Sequence, residues 1–282
     1  LTCDGYQYQE RNQQDASFDI RLVGPEDEAV RWIAGLYFAD IERESLVGYG
    51  ADQGQGFLRQ PYVDPTGPNP TDLLFWDDFE TRVFAAYGQL QFDIADNMEL
   101  AFALRYDLEQ RDVRNRVPNV NNSGLNINLL DANVQPQPIN PGFAANPDGI
   151  PDRAADFEQF QPKVTWSWTP TEDMSVYASY GLGFRSGGFN ALGTEDLIDF
   201  WFNAGFGGPG ELVDAQLDVN DEYGKEVSTA FELGVKSEWM DNRLRLNAAV
   251  FRTDVEDNQF FEFYAGPFGI LRTVTTIDEL YI

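Results

Sequence analysis

Charged side chains recur at every second position in two places. Arg105, Asp107 and Glu109 do so in one segment, and Glu232, Lys236 and Glu238 share one parity in another. A spacing of two puts such residues on one face of a β-strand. A cation among carboxylates on that face can pair internally or meet a solute passing over it, and internal pairing is the plainer use. Arg185 stands in a third place, within the glycine-rich run Gly181, Gly183, Gly187 and Gly188. A phosphate-cradling loop would need a helix N-terminus after that run. The residues that follow suggest none, so nucleotide binding is not expected, and the glycines read as sites of bending or close aromatic packing.

The stretch from Gly187 to Gly224 combines two other chemistries. It holds eight acids, among them Asp214 and Asp218, and no Lys or Arg. It also carries Phe200, Trp201, Phe202 and Phe206, an apolar cluster able to cap an opening or grip an apolar ligand. Grouped carboxylates can hold Ca²⁺ through oxygen ligands, although a solvated, self-repelling loop explains them as well. The string Asn146-Pro147-Asp148-Gly149-Ile150-Pro151-Asp152 has a weak likeness to calcium loops of the Asp-Gly type, but its first acid is missing and proline interrupts it. No cofactor is expected beyond that possible loop Ca²⁺.

Composition removes whole classes of function. With 19 basic and 47 acidic residues the 282-residue chain carries a formal charge of −28, which argues against a nucleic-acid partner. Histidine is absent, so there is no imidazole base, His-ligated metal or Ser-His-Asp triad. The single cysteine, Cys3, excludes an internal disulfide and a multi-thiolate zinc site. With no nucleophile elbow, and no His to activate Cys3, the chain does not read as an enzyme.

The elements that must position these residues have a period of two. Met98, Leu100, Phe102, Leu104, Tyr106 and Leu108 alternate with Glu99, Ala101, Ala103, Arg105, Asp107 and Glu109. Phe84 to Ile94 does the same, and Ala95-Asp96-Asn97 joins the two as a hairpin. Similar hairpins turn at Pro25–Glu28, Pro170–Asp173 and Asp241-Asn242. About ten strands are expected, at 1–10, 16–24, 29–44, 78–95, 98–115, 158–169, 173–186, 226–240, 243–262 and 269–282. Parity slips near Trp239 and Phe251 predict bulges or strand ends there. Long polar stretches at 46–77, 116–156 and 187–224 alternate with the short turns. Short turns on one side and long loops on the other are the pattern of outer-membrane barrels, and compact soluble domains seldom hold such loops. Trp32, Trp166, Trp168, Tyr180, Phe184 and Trp239 suit the aromatic girdles of such a barrel. The expected fold is therefore all-β, an antiparallel transmembrane β-barrel segment with short periplasmic turns and long extracellular loops, in contact with outer-membrane lipid.

Four strings carry a family likeness: FDIRLVGPEDEAVRWIAGLYF, YGQLQFDIADNMELAFALRYD, QPKVTWSWTPTEDMSVYASYGLGFRSGGFNA and FELGVKSEWMDNRLRLNAAVFRTDVEDNQFF. They resemble the barrel of TonB-dependent outer-membrane receptors, most closely the iron-complex or siderophore group, over nearly the whole chain. The resemblance implies a cell outer-membrane location and active uptake of a scarce ligand such as an iron–siderophore complex. It also implies energy from the TonB complex, delivered through a plug domain. It places Arg105, Asp107, Glu109, Arg185, Glu232 and Lys236 facing the lumen. It makes Phe200, Trp201, Phe202, Phe206, Asp214 and Asp218 candidates for an extracellular ligand loop. The chain starts at Leu, shows no TonB box or plug, and ends at DELYI without a terminal aromatic. Residues 1–282 are accordingly expected to be a partial, mid-barrel domain lacking the plug and the C-terminal strands. A passive porin-like barrel, or an adhesin-type binding module without TonB coupling, is the alternative. The acidic loops lean toward neutral or cationic ligands, because anionic chelates prefer basic pockets.

Overall fold

A computed structural model of the chain describes residues 4–52, 60–122, 136–203, 216–241, 243–266 and 269–281. The strands are β1 (Asp4–Val23), β2 (Val30–Asp52), β3 (Thr71–Ala95), β4 (Met98–Asn115), β5 (Arg153–Thr171) and β6 (Met174–Arg185). After them come the short β7 (Gly188–Phe189) and β8 (Glu222–Tyr223), then β9 (Glu226–Trp239), β10 (Leu244–Gly266) and β11 (Gly269–Tyr281). Nine of these form one antiparallel sheet in the order β1-β2-β3-β4-β5-β6-β9-β10-β11. Each strand lies beside its sequence neighbour, and only the segment carrying β7 and β8 is set aside from the succession. The segments 1–10 and 16–24 are one continuous strand, β1, paired with β2 from Asp4 to Val23, so the sheet has nine strands where about ten are expected. Trp239 ends β9, as the parity slip implies. Phe251 does not bulge, because β10 keeps its register with β9 from Leu244 to Glu256. The irregularity in β10 lies instead at Asp257, whose φ is 51°. Aspartate tolerates that left-handed backbone better than most residues.

The sheet is inside-out relative to a soluble domain. On β4 the row Met98 to Leu108 points to the convex face, with Phe102 45% and Leu104 49% exposed. Neighbouring strands continue the belt in register. Phe38 faces Phe84 at a ring distance of 5.1 Å, and Phe84 pairs with Leu108. Phe18 on β1, 62% exposed, pairs with Phe38. One step beyond this row the same face turns polar at Asp40, Arg82 and Gln110, which are also mutually in register. The apolar row on β4 is eleven residues long, and a tilted strand needs about 9–11 to cross a bilayer. So large an apolar surface in contact with solvent is untenable for a monomer in water, and lipid is the medium that suits it. Four tryptophans, Trp32, Trp166, Trp168 and Trp239, sit beside the short turns. Trp76 and Trp201 lie at the loop end.

Beyond the belt the strands run on and are packed on both faces. The concave side buries Tyr49, Leu73, Phe75 and Leu271 against Leu197, Ile198 and Val219 of the segment between β6 and β9. The convex side buries Leu46 and Leu74 beneath Val117, Ile139 and Phe143 of the segment between β4 and β5. These segments are not wholly irregular. The segment between β4 and β5 holds a turn of helix, α1 (Gly142–Ala145). The segment between β6 and β9 holds α2 (Thr194–Ile198), which runs into a π-helical turn at Asp199–Asn203. A short helix thus does follow the glycine-rich run. Its single turn and its N-terminal acids, Glu195 and Asp196, make it no phosphate cradle.

Candidate functional site: the lumenal face and the loop that covers it

Alternation places the polar side chains of each strand on the concave face, where two similar clusters form. In the first, Tyr87 of β3 lies over Gly35 of β2, so close that a methyl group on Gly35 would come within 2.3 Å of the ring. Its hydroxyl donates to Asp19 of β1 at 3.0 Å. Arg105 approaches the Tyr37 and Tyr87 rings at 5.5 and 5.9 Å. It also donates two hydrogen bonds to buried Asp107, at 2.7 and 2.6 Å. Gln161 of β5 donates to the same carboxylate at 2.6 Å. The second cluster repeats the parts. Tyr177 of β6 lies over Gly234 of β9, its hydroxyl donates to Glu232, and Lys236 sits 5.5 Å from its ring. In both, glycine makes room for a tyrosine laid flat along the wall, and the tyrosine joins a carboxylate to a cation. The two-residue charge spacing in the sequence is the trace of these clusters. The glycines opposite the tyrosines are the part that sequence reasoning missed, because cross-strand pairs are not adjacent in the chain.

Glu109 accepts from Arg111 at 3.0 Å and from Ser186 Oγ at 2.6 Å. Arg185 lies 5.8 Å from the Phe261 ring. Of the six residues expected to face the lumen, Arg105 and Asp107 share the first cluster, Glu232 and Lys236 share the second, and Glu109 reaches the loop through Ser186.

The described parts of the segment between β6 and β9, residues 186–203 and 216–225, pack on this face and are held by buried polar groups. Asp77 of β3 accepts from the Leu192 N–H at 3.1 Å and from Asn115 Nδ2 at 3.0 Å. Asp221 accepts from the Gly193 N–H and the Glu195 N–H, both at 3.0 Å, and lies 3.5 Å from Arg153. Asn140 donates to the Leu74 and Leu192 carbonyls at 3.1 and 2.9 Å, tying both long segments to β3. Asp77 lies seven residues beyond Phe84, clear of the apolar belt. Burial pushes its carboxyl up to about 8, against the two N–H donors that favour the anion, and Asp221 and Asp78 raise it further. Asp196 is also raised, first by burial and then by Asp221, Glu195 and Asp199.

The expected loop residues divide. Trp201 and Phe202 pack on the concave core, with Phe202 5.4 Å from Tyr264. Phe200 stands edge-on to Trp201 at 5.6 Å and is 44% exposed. Asp218 is exposed and accepts from Asn220 at 3.0 Å. Phe206 and Asp214 lie outside the described residues. Among the described residues no group of acids, His or Cys is arranged to hold a metal ion. Arg114 lies 3.9 Å from Asp152.

Residues 4–281 match the family described as TonB dependent receptor-like, beta-barrel. The chain belongs to that family. It is accordingly an outer-membrane protein, with its short turns toward the periplasm and its long loops outside. A probable TonB-dependent siderophore receptor, PiuA of Acinetobacter baumannii, is 31% identical over 105 residues, which is 37% of this chain and 12% of that protein. Two solved structures share the fold at 16% identity. The ferric yersiniabactin uptake receptor FyuA of Yersinia pestis aligns with a TM-score of 0.57 over 92% of this chain and 31% of its own. The copper transporter OprC aligns with a TM-score of 0.56 over 98% and 35%. The chain thus spans about a third of the length of these structures. Its family and fold relatives are receptors and transporters, in keeping with the non-enzymatic reading.

Proposed function

We propose that this chain is part of an active receptor that imports iron complexes across the outer membrane with energy from the TonB system. The observation that carries the reading is the anchored loop on the concave face. A loop fixed by two buried carboxylates lies over a wall of tyrosine, cation and carboxylate clusters, so a solute entering from outside meets an anchored surface rather than an open pore. Arg105, Asp107, Glu109, Arg185, Glu232 and Lys236 form the wall along which such a solute, or the plug domain of the receptor, would make contact. Phe200 is an exposed aromatic of the loop. One of the relatives is named as a siderophore receptor and another as a ferric yersiniabactin uptake receptor, which makes iron–siderophore complexes the first substrates to try. Copper, named for another, is the second.

The test is uptake of radioactive iron chelates by cells that express the full-length receptor, with and without a functional TonB gene. Accumulation that depends on both supports the reading. Entry that persists without TonB would make the protein a passive channel and sink it.

A further inference from the structure

The hairpin of β10 and β11 outgrows the strand before it. β9 pairs with β10 only up to Val227, opposite Glu256, while β10 and β11 stay paired as far as Gly266 and Gly269. The first residue past β9 is Asp257, with a φ of 51°. Above it the hairpin leaves the wall. Its paired residues Tyr264 and Leu271 pack with Tyr49, Leu73 and Phe75, on the concave side of β2 and β3. Polar bonds hold its base. Glu226 accepts from Asn258 Nδ2 at 3.1 Å and from the Gln259 N–H at 2.8 Å, and Gln259 Nε2 donates to the Ser186 and Gly224 carbonyls at 2.8 and 3.0 Å. Alternation turns the backbone N–H and C=O of Ile270, Arg272, Val274, Thr276 and Asp278 away from β10, toward the outer edge of β11. Such a row is a template for another strand. Side chains from elsewhere in the chain close it near the tip. Asn190 takes both groups of Val274, at 2.9 and 2.8 Å, and the Tyr49 hydroxyl donates to the Ile270 carbonyl at 2.8 Å. Both side chains are buried, Asn190 at 7% exposure and Tyr49 at 2%. Lower down, Thr276 and Asp278 are exposed, and among the described residues no backbone group bonds to their outward side.

We infer that the outer edge of β11 is divided: from Val274 to the tip it is sealed by side chains, and from Thr276 toward the membrane it accepts one further strand, the next wall strand of the receptor. The inference rests on reading the chain as part of a larger receptor barrel, and it fixes the height at which the wall beside β11 stops. A strand of the same receptor is the occupant for two reasons. β11 stands last in the sheet order, and the chain spans about a third of the length of the structures that share its fold. The open half also begins at Thr276, opposite Gln259, close to the height where β9 stops on the other side of the hairpin. A strand running to the tip would have to expel Asn190 and strip its buried amide of partners, which is costly. Arg272, its guanidinium 4.0 Å from the Phe261 ring, lies between the two sealed positions, too short a stretch for a ladder. The hairpin above Asp257 is therefore a strap tied inside the wall, with no strand beside it.

The experiment follows amide hydrogen exchange in the full-length receptor, first in outer-membrane preparations and then in the purified chain. The amides of Thr276 and Asp278 should exchange roughly 10–100-fold more slowly than that of Arg272, the size expected for one hydrogen bond made in a ladder. Proline substitution gives a second reading, because proline is tolerated at a free edge and not within a paired strand. Arg272→Pro should leave the urea midpoint unchanged, whereas Thr276→Pro should lower it. An Arg272 amide as slow as that of Thr276 overturns the inference, since the wall strand would then run to the tip. Thr276 and Asp278 amides as fast as that of Arg272 in both preparations overturn it as well, since no strand would lie there. Protection of those two that disappears on purification assigns the edge to another protein and rejects the occupant. Iron entry that persists without TonB, with the exchange pattern intact, would count against the transport reading and leave the divided edge standing.

Discussion

The side-chain amide of Asn190 pairs with both backbone groups of Val274, donating to its carbonyl at 2.9 Å and accepting from its N–H at 2.8 Å. Asn190 thus occupies the place that a neighbouring strand would take on the free side of β11. The same amide donates to the Asn220 carbonyl at 2.7 Å, so one residue joins both arms of the loop to the sheet. Asn190→Ala removes all three bonds at a site that is 7% exposed. A local loss of about 1–3 kcal/mol follows, seen as faster amide exchange at Val274 and Leu192 while the middle of β4 is unaffected.

The anchoring of the loop should depend on pH through Asp77. Its folded-state pKa, about 8, lies above the ordinary carboxyl value of 3.8. The folded form therefore binds the proton more tightly than the unfolded one. The associated stability is complete below pH 4 and is lost as pH rises through 8. Protease cleavage within residues 186–225 should quicken between pH 5 and pH 9. The Asp77→Asn variant should show a flatter profile over that range, and an identical slope in both proteins would reject the assignment.

Gly193 has a φ of +90°, and a methyl group there would meet Asn140 Oδ1 at 2.0 Å. Gly193→Ala should cost about 1–3 kcal/mol in strain and displace the helix turn α2. Gly224→Ala, with nothing within 4 Å, should be silent. Unfolding in urea of the two variants, side by side, separates backbone strain from a general intolerance of the loop.

The convex belt predicts a depth profile. Phe102→Arg, near the middle of the apolar row, should destabilise the protein in lipid vesicles by about 2–4 kcal/mol, whereas Gln110→Arg, at its edge, should cost about 0–1. Equal costs at both positions would mean that the belt does not lie across the bilayer.

The strands were legible because period two survives any burial pattern, and here it is inverted without being weakened. Phe102 and Arg105 take opposite faces whichever side is wet. The joining of 1–10 to 16–24 was hidden because residues 11–15, Arg-Asn-Gln-Gln-Asp, carry no alternation of hydrophobicity. They lie where β1 has risen past the lipid and both faces are polar. The lumenal charges were visible on one strand at a time, but their partners were not. Asp19, Tyr87 and Arg105 meet across β1, β3 and β4. The loop anchors were the least legible, since Asp77 and Asp221 look like any two of 47 acids until the fold brings both to the backbone of residues 192–195.

The uneven placing of the tryptophans gives the chain a built-in optical compass. Trp32, Trp166, Trp168 and Trp239 border the short turns, whereas Trp76 and Trp201 stand at the opposite end. A polar quencher added outside sealed vesicles will dim the first set or the second according to which way the protein was inserted. Orientation can therefore be read from native fluorescence without attaching a label.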